Sequence, residues 1–354
     1  MNVLVTGGAG YIGSVCAERL LATRNKVVVL DNLSTGHLDA VSPGAQFVHG
    51  DFADRALCLE LIRRFTIETV MHFAAETLVE KSMTDPRAYF QNNVKKGIDF
   101  LDVLVDSGVR NLVFSSTAAV YGEPKQVPIT EDHPTGPINA YGDSKLMFEK
   151  VLSWYGRAYG LRSIVLRYFN AAGATQLLGE DHWPESHLIP RLLNAAIDPN
   201  SEFVLYGEDY ATPDGTCIRD YVHVRDVAEA HVLAAEALRN GMSGTFNIGS
   251  GKGFSVKEVI STMEHVLGQP IRVRVGPRRG GDPAILVAGN DKLSRELGWR
   301  PLSSSLQEIV KTAWTWKQAH LNGYESHDNA ETQGAASRSQ GDEIRHAAAA
   351  SPRG

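Results

Sequence analysis

The stretch TGGAGYIG, residues 6–13, follows a short run of β-branched residues and precedes a helical pattern. Its glycines satisfy the spacing Gly-x-x-Gly-x-x-Gly at Gly7, Gly10 and Gly13. In a strand–turn–helix of this kind, one glycine permits the tight turn, another lets the backbone approach a pyrophosphate, and a third allows close helix–strand packing. The helix that follows directs its N-terminal N–H groups at the anion. The stretch therefore predicts a dinucleotide-binding turn.

Two carboxylates after the next strands indicate which dinucleotide binds. The second β-branched run ends in Asp31, where a carboxylate can accept hydrogen bonds from both hydroxyls of an adenosine ribose and would repel a 2′-phosphate. Asp51 follows the third run and is predicted to lie near the adenine amino group. These positions favour NAD over NADP.

Short β-branched runs alternate with longer helical patterns over the first two-thirds of the chain, which predicts βαβ units and a parallel sheet. The runs occupy residues 2–6, 27–31, 47–50, 69–73, 112–115 and 163–168. Several are continuously apolar, as expected when helices cover both faces of the sheet. We predict an α/β fold with a doubly wound, Rossmann-like parallel sheet.

The spacing of the patterns changes along the chain and suggests three parts. Residues 1–176 are predicted to form the nucleotide-binding domain, to which later segments return. Residues 177–322 are irregularly spaced and rich in Pro, Gly and Trp, and are predicted to form a smaller mixed substrate lobe. Residues 323–354 contain little besides Ala, Ser, Gly and charged residues. We predict a disordered tail there, because too few apolar groups offset the entropy of ordering it.

Composition excludes several classes of partner. The 354 residues include 35 Lys and Arg against 41 Asp and Glu, a formal charge of −6, so no global positive field attracts nucleic acid or anionic lipid. Cys16, Cys58 and Cys217 are scattered, which indicates reduced thiols, and no metal is expected. The sequence shows neither a secretory signal nor a long apolar span. We expect a cytoplasmic protein with a small-molecule substrate.

A tyrosine and a lysine are spaced for proton transfer. Tyr141 and Lys145 lie four residues apart in a helical pattern, hence about one turn from each other on one face. A nearby cation would stabilise the phenolate and lower the pKa of Tyr141, as would a positively charged nicotinamide, making the phenol a competent base. Upstream, a buried run ends in the hydroxyl residues Ser115, Ser116 and Thr117, at the sheet edge where doubly wound folds bind ligands. Either Ser116 or Thr117 is positioned to complete the set.

Together these motifs resemble the extended short-chain dehydrogenase/reductase family, and within it the branch of 4-epimerases that act on UDP-glucose. The resemblance covers roughly residues 1–322. It rests on the glycine turn and on further motifs: Asp31-Asn32-Leu33, His72-Phe73-Ala74-Ala75, Ser115-Ser116-Thr117, Tyr141-Gly142-Asp143-Ser144-Lys145, Leu166-Arg167-Tyr168-Phe169-Asn170, His187-Leu188-Ile189-Pro190, the stretch GTCIRDYVHV at residues 215–224 and the stretch RRGGDP at residues 278–283.

The resemblance implies interconversion of UDP-galactose and UDP-glucose through a 4-keto sugar, with NAD taking hydride from C4 and returning it to the other face. Tyr141 is the implied base, Lys145 lowers its pKa and Thr117 assists. The implied cofactor contacts are Gly7, Gly10, Tyr11, Ile12, Gly13, Asp31, Asn32, Asp51, Phe52, Phe73, Ala74, Ala75, Asn93, Ser115, Tyr141, Lys145 and Tyr168. The implied substrate contacts are Thr117, Tyr141, Asn170, His187, Leu188, Tyr206, Arg219, Arg279 and Asp282. In this set the two arginines neutralise the diphosphate, Asp282 holds the ribose, and Leu188 and Tyr206 pack the uracil.

Departures from the family pattern leave alternatives open. Thr77 stands where many epimerases carry a lysine near the cofactor, so NAD is expected to exchange more readily. Leu286 replaces an aromatic that narrows the sugar pocket in some members, which suggests that N-acetylated hexosamines enter. UDP-pentoses and UDP-glucuronate remain alternative substrates, and a catalytically silent NAD-binding regulator is a further alternative.

Ala118 and Ala119 stand where dehydratases carry an acidic pair, which disfavours water elimination and, through Ala119, decarboxylation.

Two helical stretches predict self-association. Residues 92–107 and 144–159 correspond to helices that pair into a four-helix interface in relatives, so a homodimer is expected. The apolar stripe Leu146, Val151, Leu152 and Tyr155 is suited either to that interface or to the core.

Overall fold

A computed structural model describes residues 1–198, 200–279 and 282–324. The strands within these ranges are β1 (Asn2–Thr6), β2 (Lys26–Asp31), β3 (Gln46–His49), β4 (Thr69–His72), β5 (Asn111–Thr117), β6 (Arg162–Tyr168), β7 (Asn170–Ala172), β8 (Phe203–Tyr206), β9 (Ile218–His223), β10 (Gly244–Ile248), β11 (Gly253–Ser255), β12 (Val273–Gly276) and β13 (Ile285–Leu286).

The helices of the same ranges are α1 (Tyr11–Ala22), α2 (Arg55–Phe65), α3 (Val79–Thr84), α4 (Pro86–Tyr89), α5 (Gly97–Ser107), α6 (Ala140–Tyr159), α7 (Leu188–Ile197), α8 (Val224–Arg239), α9 (Val256–Leu267), α10 (Asp291–Leu297) and α11 (Leu306–Ala319). A π-helical segment, Phe90–Lys96, joins α4 to α5.

Among the described residues, seven strands form one sheet in the order β10-β6-β5-β4-β1-β2-β3. Every neighbouring pair is parallel. The order runs outward from β1 in both directions, so crossover helices cover both faces, as the continuously apolar runs predicted. The predicted α/β class with a doubly wound, Rossmann-like parallel sheet is confirmed.

Two apolar clusters hold the helices to the faces of this sheet. On one face, α1 and α8 contribute Leu20 and Leu238, which are fully buried with strand residues such as Val5. On the other face, α2, α5 and α6 bury Leu61, Phe100 and other side chains. Burial of such side chains is worth about 1.5–3 kcal/mol each, so the α6 helix is fixed firmly against the sheet.

Residues after 176 contribute to both parts of the molecule. Helix α8 and strand β10 return to the large sheet. Strands β7, β9, β11 and β13 form a small separate sheet, and β8 pairs with β12. A third apolar cluster joins these strands to α7, α9 and α11.

The predicted tail overlaps the described residues at two positions. Gly323 and Tyr324 are buried, and the backbone N–H of Tyr324 donates to the carboxylate of Asp181 at 2.9 Å. Residues 325–354 of the predicted tail lie outside the described residues.

Over the portions of the chain that the structure describes, helices with the length and apolarity required to cross a bilayer are absent.

Candidate active site

The glycine turn is shaped to bring backbone close to a ligand. Gly7 has φ of +74°, and a Cβ at this position would lie 2.5 Å from the backbone nitrogen of Ala74. A Cβ on Gly13 would lie 2.2 Å from the carbonyl oxygen of Gly7. Both positions therefore require glycine. Gly10 caps α1 without a side-chain hydrogen bond, and the first turn of α1 carries no acidic residue. This helix N-terminus suits a pyrophosphate.

Asp31 lies at the C-terminal end of β2, beside the glycine turn. Its two carboxylate oxygens accept hydrogen bonds from the backbone N–H groups of Ala9 at 3.0 Å and Leu33 at 2.8 Å. The side chain is thus held in one orientation, with its negative charge next to the turn. Asn32 follows, and its side chain accepts from Ser34 N–H at 3.1 Å.

Asp51 and Phe52 lie one strand further along the same sheet edge. Lys96 donates to Asp51 at 2.7 Å. Burial alone would raise the pKa of this carboxyl, but the hydrogen bonds from Lys96 and from the backbone of Ala53 hold the pKa below its usual range. Lys96 was not among the predicted site residues. The sequence carried no signal for this ion pair, because 45 positions separate its partners.

The loop after β4 contains the next predicted cofactor contacts. Phe73 packs against the ring of His231 with centroids 4.8 Å apart, and Ala74 N–H donates to the carbonyl of Thr6 at 3.1 Å. Ala75 follows in the same loop. Gly7 packs against the backbone of Phe73 and Ala74 in this loop.

Asn93 lies in the π-helical segment and is buried. Its amide accepts from Glu76 N–H at 2.8 Å and donates to the Glu76 carbonyl and the Ser144 hydroxyl, each at 3.0 Å. The side chain therefore joins the loop after β4 to α6. Through these hydrogen bonds it positions other site residues, and the predicted direct contact with the cofactor stays a prediction.

Tyr141, Lys145 and Thr117 meet at the carboxyl edge of the sheet. Thr117 ends β5, and its hydroxyl lies close enough to the Tyr141 phenol to act against the rise in the pKa of that phenol. Lys145 is 3% exposed. Its ammonium donates to the carbonyl of Ser115 at 2.9 Å and lies 4.9 Å from the centre of the Phe114 ring. The predicted set of hydroxyl, phenol and ammonium is thus assembled around one strand end.

The electrostatics of this set differ from the expectation. Burial raises the pKa of Tyr141 to about 12, opposed by the hydrogen bond with Thr117. Burial also lowers the pKa of Lys145 to about 7, opposed by the charge of Glu149. The predicted lowering of the pKa of Tyr141 by Lys145 is therefore not seen here, because desolvation dominates for both groups and the ammonium is directed at a backbone carbonyl.

Local sequence explains why Tyr141 starts a helix at this point. Asn139 precedes α6 and its side chain accepts from the N–H of Gly142 at 2.8 Å, a standard N-cap. A Cβ on Gly142 would lie 2.6 Å from the carbonyl oxygen of Ala119. Glycine at this position therefore lets the first turn of α6 approach the segment after Thr117.

A buried ion pair that the sequence analysis did not identify fixes α6 to the sheet. Arg167 of β6 and Glu149 of α6 are 2.5 Å apart, with side chains that are each 8% exposed. Ser116 donates to the same carboxylate at 2.5 Å, so its hydroxyl is occupied and Thr117 is the hydroxyl that reaches Tyr141. Hydrogen bonds to the charged partners satisfy this pair, as burial of charge requires.

Tyr168 ends β6 and is buried beneath the site. Its hydroxyl forms a hydrogen bond of 2.5 Å with Nε2 of His231, a residue of α8 that the sequence analysis did not single out. Burial raises the pKa of Tyr168 well above its usual value, so the phenol stays neutral.

Arg219 and Asp282 are paired in the structure. Arg219 lies on β9, is 8% exposed and forms an ion pair with Asp282. The sequence analysis assigned these two residues to different parts of a substrate. Asn170 lies in β7, where it is in register with Tyr221 of the same β9 strand. The small sheet thus brings Asn170 and Arg219 onto neighbouring strands.

A second group of cations surrounds Tyr206. The guanidinium of Arg279 lies 4.2 Å from the ring centre of Tyr206, and that of Arg191 lies 5.7 Å from it. Burial would raise the pKa of Tyr206, but hydrogen bonds from both arginines lower it. The Nε atom of Arg279 is buried and makes no hydrogen bond with the described residues; the carboxylate of Glu80 lies 3.4 Å from it. An arginine donor left in this way suits an anionic ligand.

The last two predicted substrate contacts, His187 and Leu188, lie at the start of α7. Leu188 begins the helix and packs against the third apolar cluster. His187 is the N-cap residue, and its Nδ1 lies 2.7 Å from a carboxylate oxygen of Glu180. Its immediate partners are thus acidic side chains of the loop before α7.

The fold and the site define an NAD-dependent short-chain dehydrogenase/reductase of the extended type. Residues 3–249 match the NAD dependent epimerase/dehydratase family, and the chain belongs to that family. Relatives that match nearly the whole chain are UDP-glucose 4-epimerases. The UDP-glucose 4-epimerase of Halalkalibacterium halodurans is 50% identical over 92% of this chain and 98% of its own length.

Solved structures agree with this assignment. The crystal structure of UDP-glucose 4-epimerase from Brucella ovis in complex with NAD is 44% identical, with a TM-score of 0.86 over 88% of this chain and 97% of that one. The enzyme from Bifidobacterium longum in complex with NAD+ and UDP is 35% identical, with a TM-score of 0.86 over 92% of this chain and 100% of that one. The predicted family and its NAD dependence are confirmed.

Proposed function

We propose that this protein is a UDP-glucose 4-epimerase, an isomerase that interconverts UDP-galactose and UDP-glucose. The single observation that carries the proposal is the assembly of Thr117, Tyr141 and Lys145 at one strand end. It lies in a chain that is 50% identical to a UDP-glucose 4-epimerase over nearly its whole length.

The residues around the glycine turn fit NAD. Gly7 and Gly13 leave no room for side chains, and the uncapped start of α1 offers N–H groups to the pyrophosphate. Asp31, whose carboxylate is oriented by the backbone of Ala9, would accept from the adenosine ribose, and Asp51 with Phe52 would border the adenine. When bound, NAD supplies the acceptor for the hydride of sugar C4, and the resulting 4-keto sugar takes the hydride back on its other face.

Tyr141 is the group that takes and returns the proton of the sugar 4-hydroxyl. The Thr117 hydroxyl acts to lower the pKa of Tyr141 and so favours the phenolate. Lys145 is held by the carbonyl of Ser115, so its amino group has a fixed position at the end of β5 rather than being mobile. The buried His72, whose pKa burial lowers to about 3, stays neutral beneath them and does not compete for the proton.

The UDP moiety is assigned to the cations of the small lobe. The buried Nε of Arg279 makes no hydrogen bond with the described residues, although the carboxylate of Glu80 lies 3.4 Å from it, and the guanidinium groups of Arg279 and Arg191 lie 4.2 and 5.7 Å from the ring centre of Tyr206. Diphosphate binding by Arg279 and Arg219 would neutralise two charges through charge-assisted hydrogen bonds. We assign Asn170, His187, Leu188 and Asp282 to the surrounding contacts. For Arg219, UDP would compete with or join the ion pair to Asp282.

We also propose a homodimer formed through α5 and α6. Trp154, Met147 and Tyr159 on α6 are 65%, 40% and 51% exposed, an apolar face that a second copy would cover. Of the stripe named from the sequence, Leu146 and Leu152 instead pack in the chain's own core.

The location proposed for the protein is the cytoplasm. Cys16, Cys58 and Cys217 are buried and free, which is consistent with a reducing compartment.

Chromatography of purified protein incubated with UDP-galactose, without added nucleotide, tests the function. We expect UDP-glucose to appear, and Tyr141→Phe to abolish it. Activity that needs added NAD would indicate weak cofactor retention, as Thr77 suggests. Retention of NAD with every UDP-sugar unchanged would contradict the proposal and favour the silent regulator.

The breadth of the sugar pocket has its own test. Leu286 lies in β13 in register with Arg219, next to the residues assigned to UDP. If Leu286 widens the pocket, the same assay with UDP-N-acetylgalactosamine yields UDP-N-acetylglucosamine, and Leu286→Tyr removes that turnover while sparing UDP-galactose. An absence of turnover with the N-acetylated sugar would exclude the wider pocket.

A further inference from the structure

Four side chains, of which only His187 is among the proposed substrate contacts, converge in the loop before α7. They are Glu180, His182, Glu185 and His187, and one nitrogen or oxygen atom from each lies within 4.8 Å of all the others. Two imidazoles and two carboxylates are a donor set that divalent transition metals, zinc above all, accept readily. The scattered cysteines, from which no metal was expected, gave no indication of this cluster.

The spacing of these atoms approaches that of a tetrahedral site. Metal–ligand bonds of about 2.0–2.1 Å place tetrahedral ligands about 3.3 Å from each other. His182 Nδ1 lies 3.4 Å from Oε1 of Glu180 and 3.8 Å from Oε2 of Glu185, while His187 Nδ1 lies 3.6 Å from the other oxygen of Glu185, Oε1. The contact between His187 Nδ1 and Oε1 of Glu180 is shorter, at 2.7 Å. Shifts of roughly 1 Å or less would therefore accommodate an ion.

Burial makes the cluster attractive to a cation. The side chains of Glu180 and Glu185 are 8% and 12% exposed, so two negative charges lie mostly out of water. His182 Nδ1 is buried and makes no hydrogen bond with the described residues, although both carboxylates surround it. An imidazole nitrogen that faces two carboxylates and makes no hydrogen bond can coordinate a metal ion.

A lysine of α11 is also close to the cluster. Lys317 borders the same pocket, and its charge interacts with Asp181 and Glu185. It lies outside the set of four donor atoms. Burial would lower the pKa of both imidazoles, but interaction with the nearby carboxylates of Glu180 and Glu185 raises the pKa of His182 to about 9 and that of His187 to about 10.

We propose that Glu180, His182, Glu185 and His187 form a closed, four-ligand site for a divalent metal of the zinc type. All four positions are filled by protein, which leaves none for substrate, so the role is structural. The proposal reassigns Nδ1 of His187 from a substrate contact to a metal ligand.

The site would connect the two parts of the molecule. His187 is the N-cap of α7 in the small lobe, and the ring of His182 meets that of Tyr11 edge to face at 6.3 Å. Tyr11 starts α1 at the nucleotide turn and donates to the carbonyl of Gly173 at 2.6 Å. A bound ion would hold the loop before α7 against the first turn of α1.

Metal content of the untagged protein tests the site. The protein is stripped with a chelator, supplied with Zn2+ near pH 8, passed through a desalting column and measured by elemental analysis. We expect about one equivalent to be retained. His182→Gln and Glu180→Gln should each lose retention at least 10-fold, in line with about 10–100-fold effects of altering such sites. His265→Gln, which changes an exposed histidine on α9, is the matched control and should retain zinc.

Two further measurements distinguish a specific metal site from nonspecific binding at the surface. Co2+ should produce the intense visible absorption bands of tetrahedral coordination in the parent protein and not in His182→Gln. Zn2+ should raise the Tm of the parent protein and leave that of the variant unchanged. Retention of no zinc, or equal zinc and equal cobalt bands in His182→Gln and the parent protein, would overturn the proposal. Both outcomes are independent of epimerase activity.

Discussion

The ammonium of Lys145 donates a hydrogen bond of 2.9 Å to the backbone carbonyl of Ser115. Helix α6 and strand β5 are therefore joined directly at the point where Thr117 and Tyr141 meet. A lysine that is 3% exposed and has a backbone partner is fixed in place. Lys145 is consequently held at the strand end where Thr117 and Tyr141 meet.

Tyr141→Phe removes the proposed base and leaves the ring in place. We expect kcat to fall by about 10²–10⁴-fold, the usual contribution of general acid–base catalysis, with NAD content unchanged. Tyr159→Phe, an exposed tyrosine at the far end of the same helix, is the control and should keep full activity. Activity of Tyr141→Phe within about 10-fold of the parent enzyme would assign the proton to another group.

Thr117→Val removes the hydroxyl that favours the Tyr141 phenolate. The pKa of Tyr141 should rise further, so the alkaline rise of kcat/KM should move to higher pH, with a loss near neutrality of about 10-fold for each pKa unit gained. Thr117→Ser restores the donor and should restore the profile. An unchanged profile in Thr117→Val would show that the hydroxyl is only a strand-end cap for Ala119.

The pKa of Lys145 links stability to pH. Burial lowers it from 10.5 to about 7, so the folded protein disfavours the charged form. The contribution of Lys145 to the free energy of unfolding is full above pH 10.5 and is lost as the pH falls through about 7, with a slope of at most about 1.4 kcal/mol per pH unit. In nucleotide-free protein, urea unfolding of Lys145→Met should lack this part of the slope between about pH 7 and 9. An identical slope in the parent protein and the variant would contradict the buried, depressed lysine.

Glu149→Ala would leave Arg167 buried without its partner. Removal of one member of a buried pair costs about 3–5 kcal/mol in free energy of unfolding, and both side chains here are 8% exposed. Because Glu149 lies on α6, one turn after Lys145, activity should fall together with stability. Glu60→Ala breaks an exposed i,i+4 pair with Arg64 and should change stability by about 0.5 kcal/mol at most. Equal losses in the two variants would show that the buried pair does not secure α6.

Gly7→Ala tests the nucleotide turn. The added Cβ would lie 2.5 Å from the Ala74 backbone nitrogen at φ of +74°, so the turn must distort and NAD content, measured after acid release, should fall strongly. Gly108→Ala places the same Cβ at φ of +81° with nothing within 4 Å. That control should lose about 1 kcal/mol of stability from backbone strain and retain its NAD. Full NAD content in Gly7→Ala would refute the assignment of the turn.

The large sheet was predictable because its signals are local. Strand β1 occupies the predicted residues, and the other predicted strands differ by a few positions at their ends. Periodicity and the glycine spacing depend on neighbouring residues only, so one sequence suffices to find them.

The polar network around the site was predictable only in part. Tyr141 and Lys145 are one helical turn apart, so a local motif was sufficient to identify them. The pairs Arg167–Glu149 and Tyr168–His231 join positions 18 and 63 residues apart, which no local pattern predicts. The pKa values also depend on burial, which raises the pKa of Tyr141 and which no local motif reveals.

The fate of deuterium placed at C4 of UDP-galactose tests the central claim most directly. The proposed epimerisation moves hydrogen from C4 and returns it to the same carbon, with water excluded. The account predicts UDP-glucose that retains the deuterium at C4 and gains none from deuterated solvent in the converse experiment. Exchange of the C4 hydrogen with solvent, or UDP-galactose that remains unchanged with NAD bound, would contradict it.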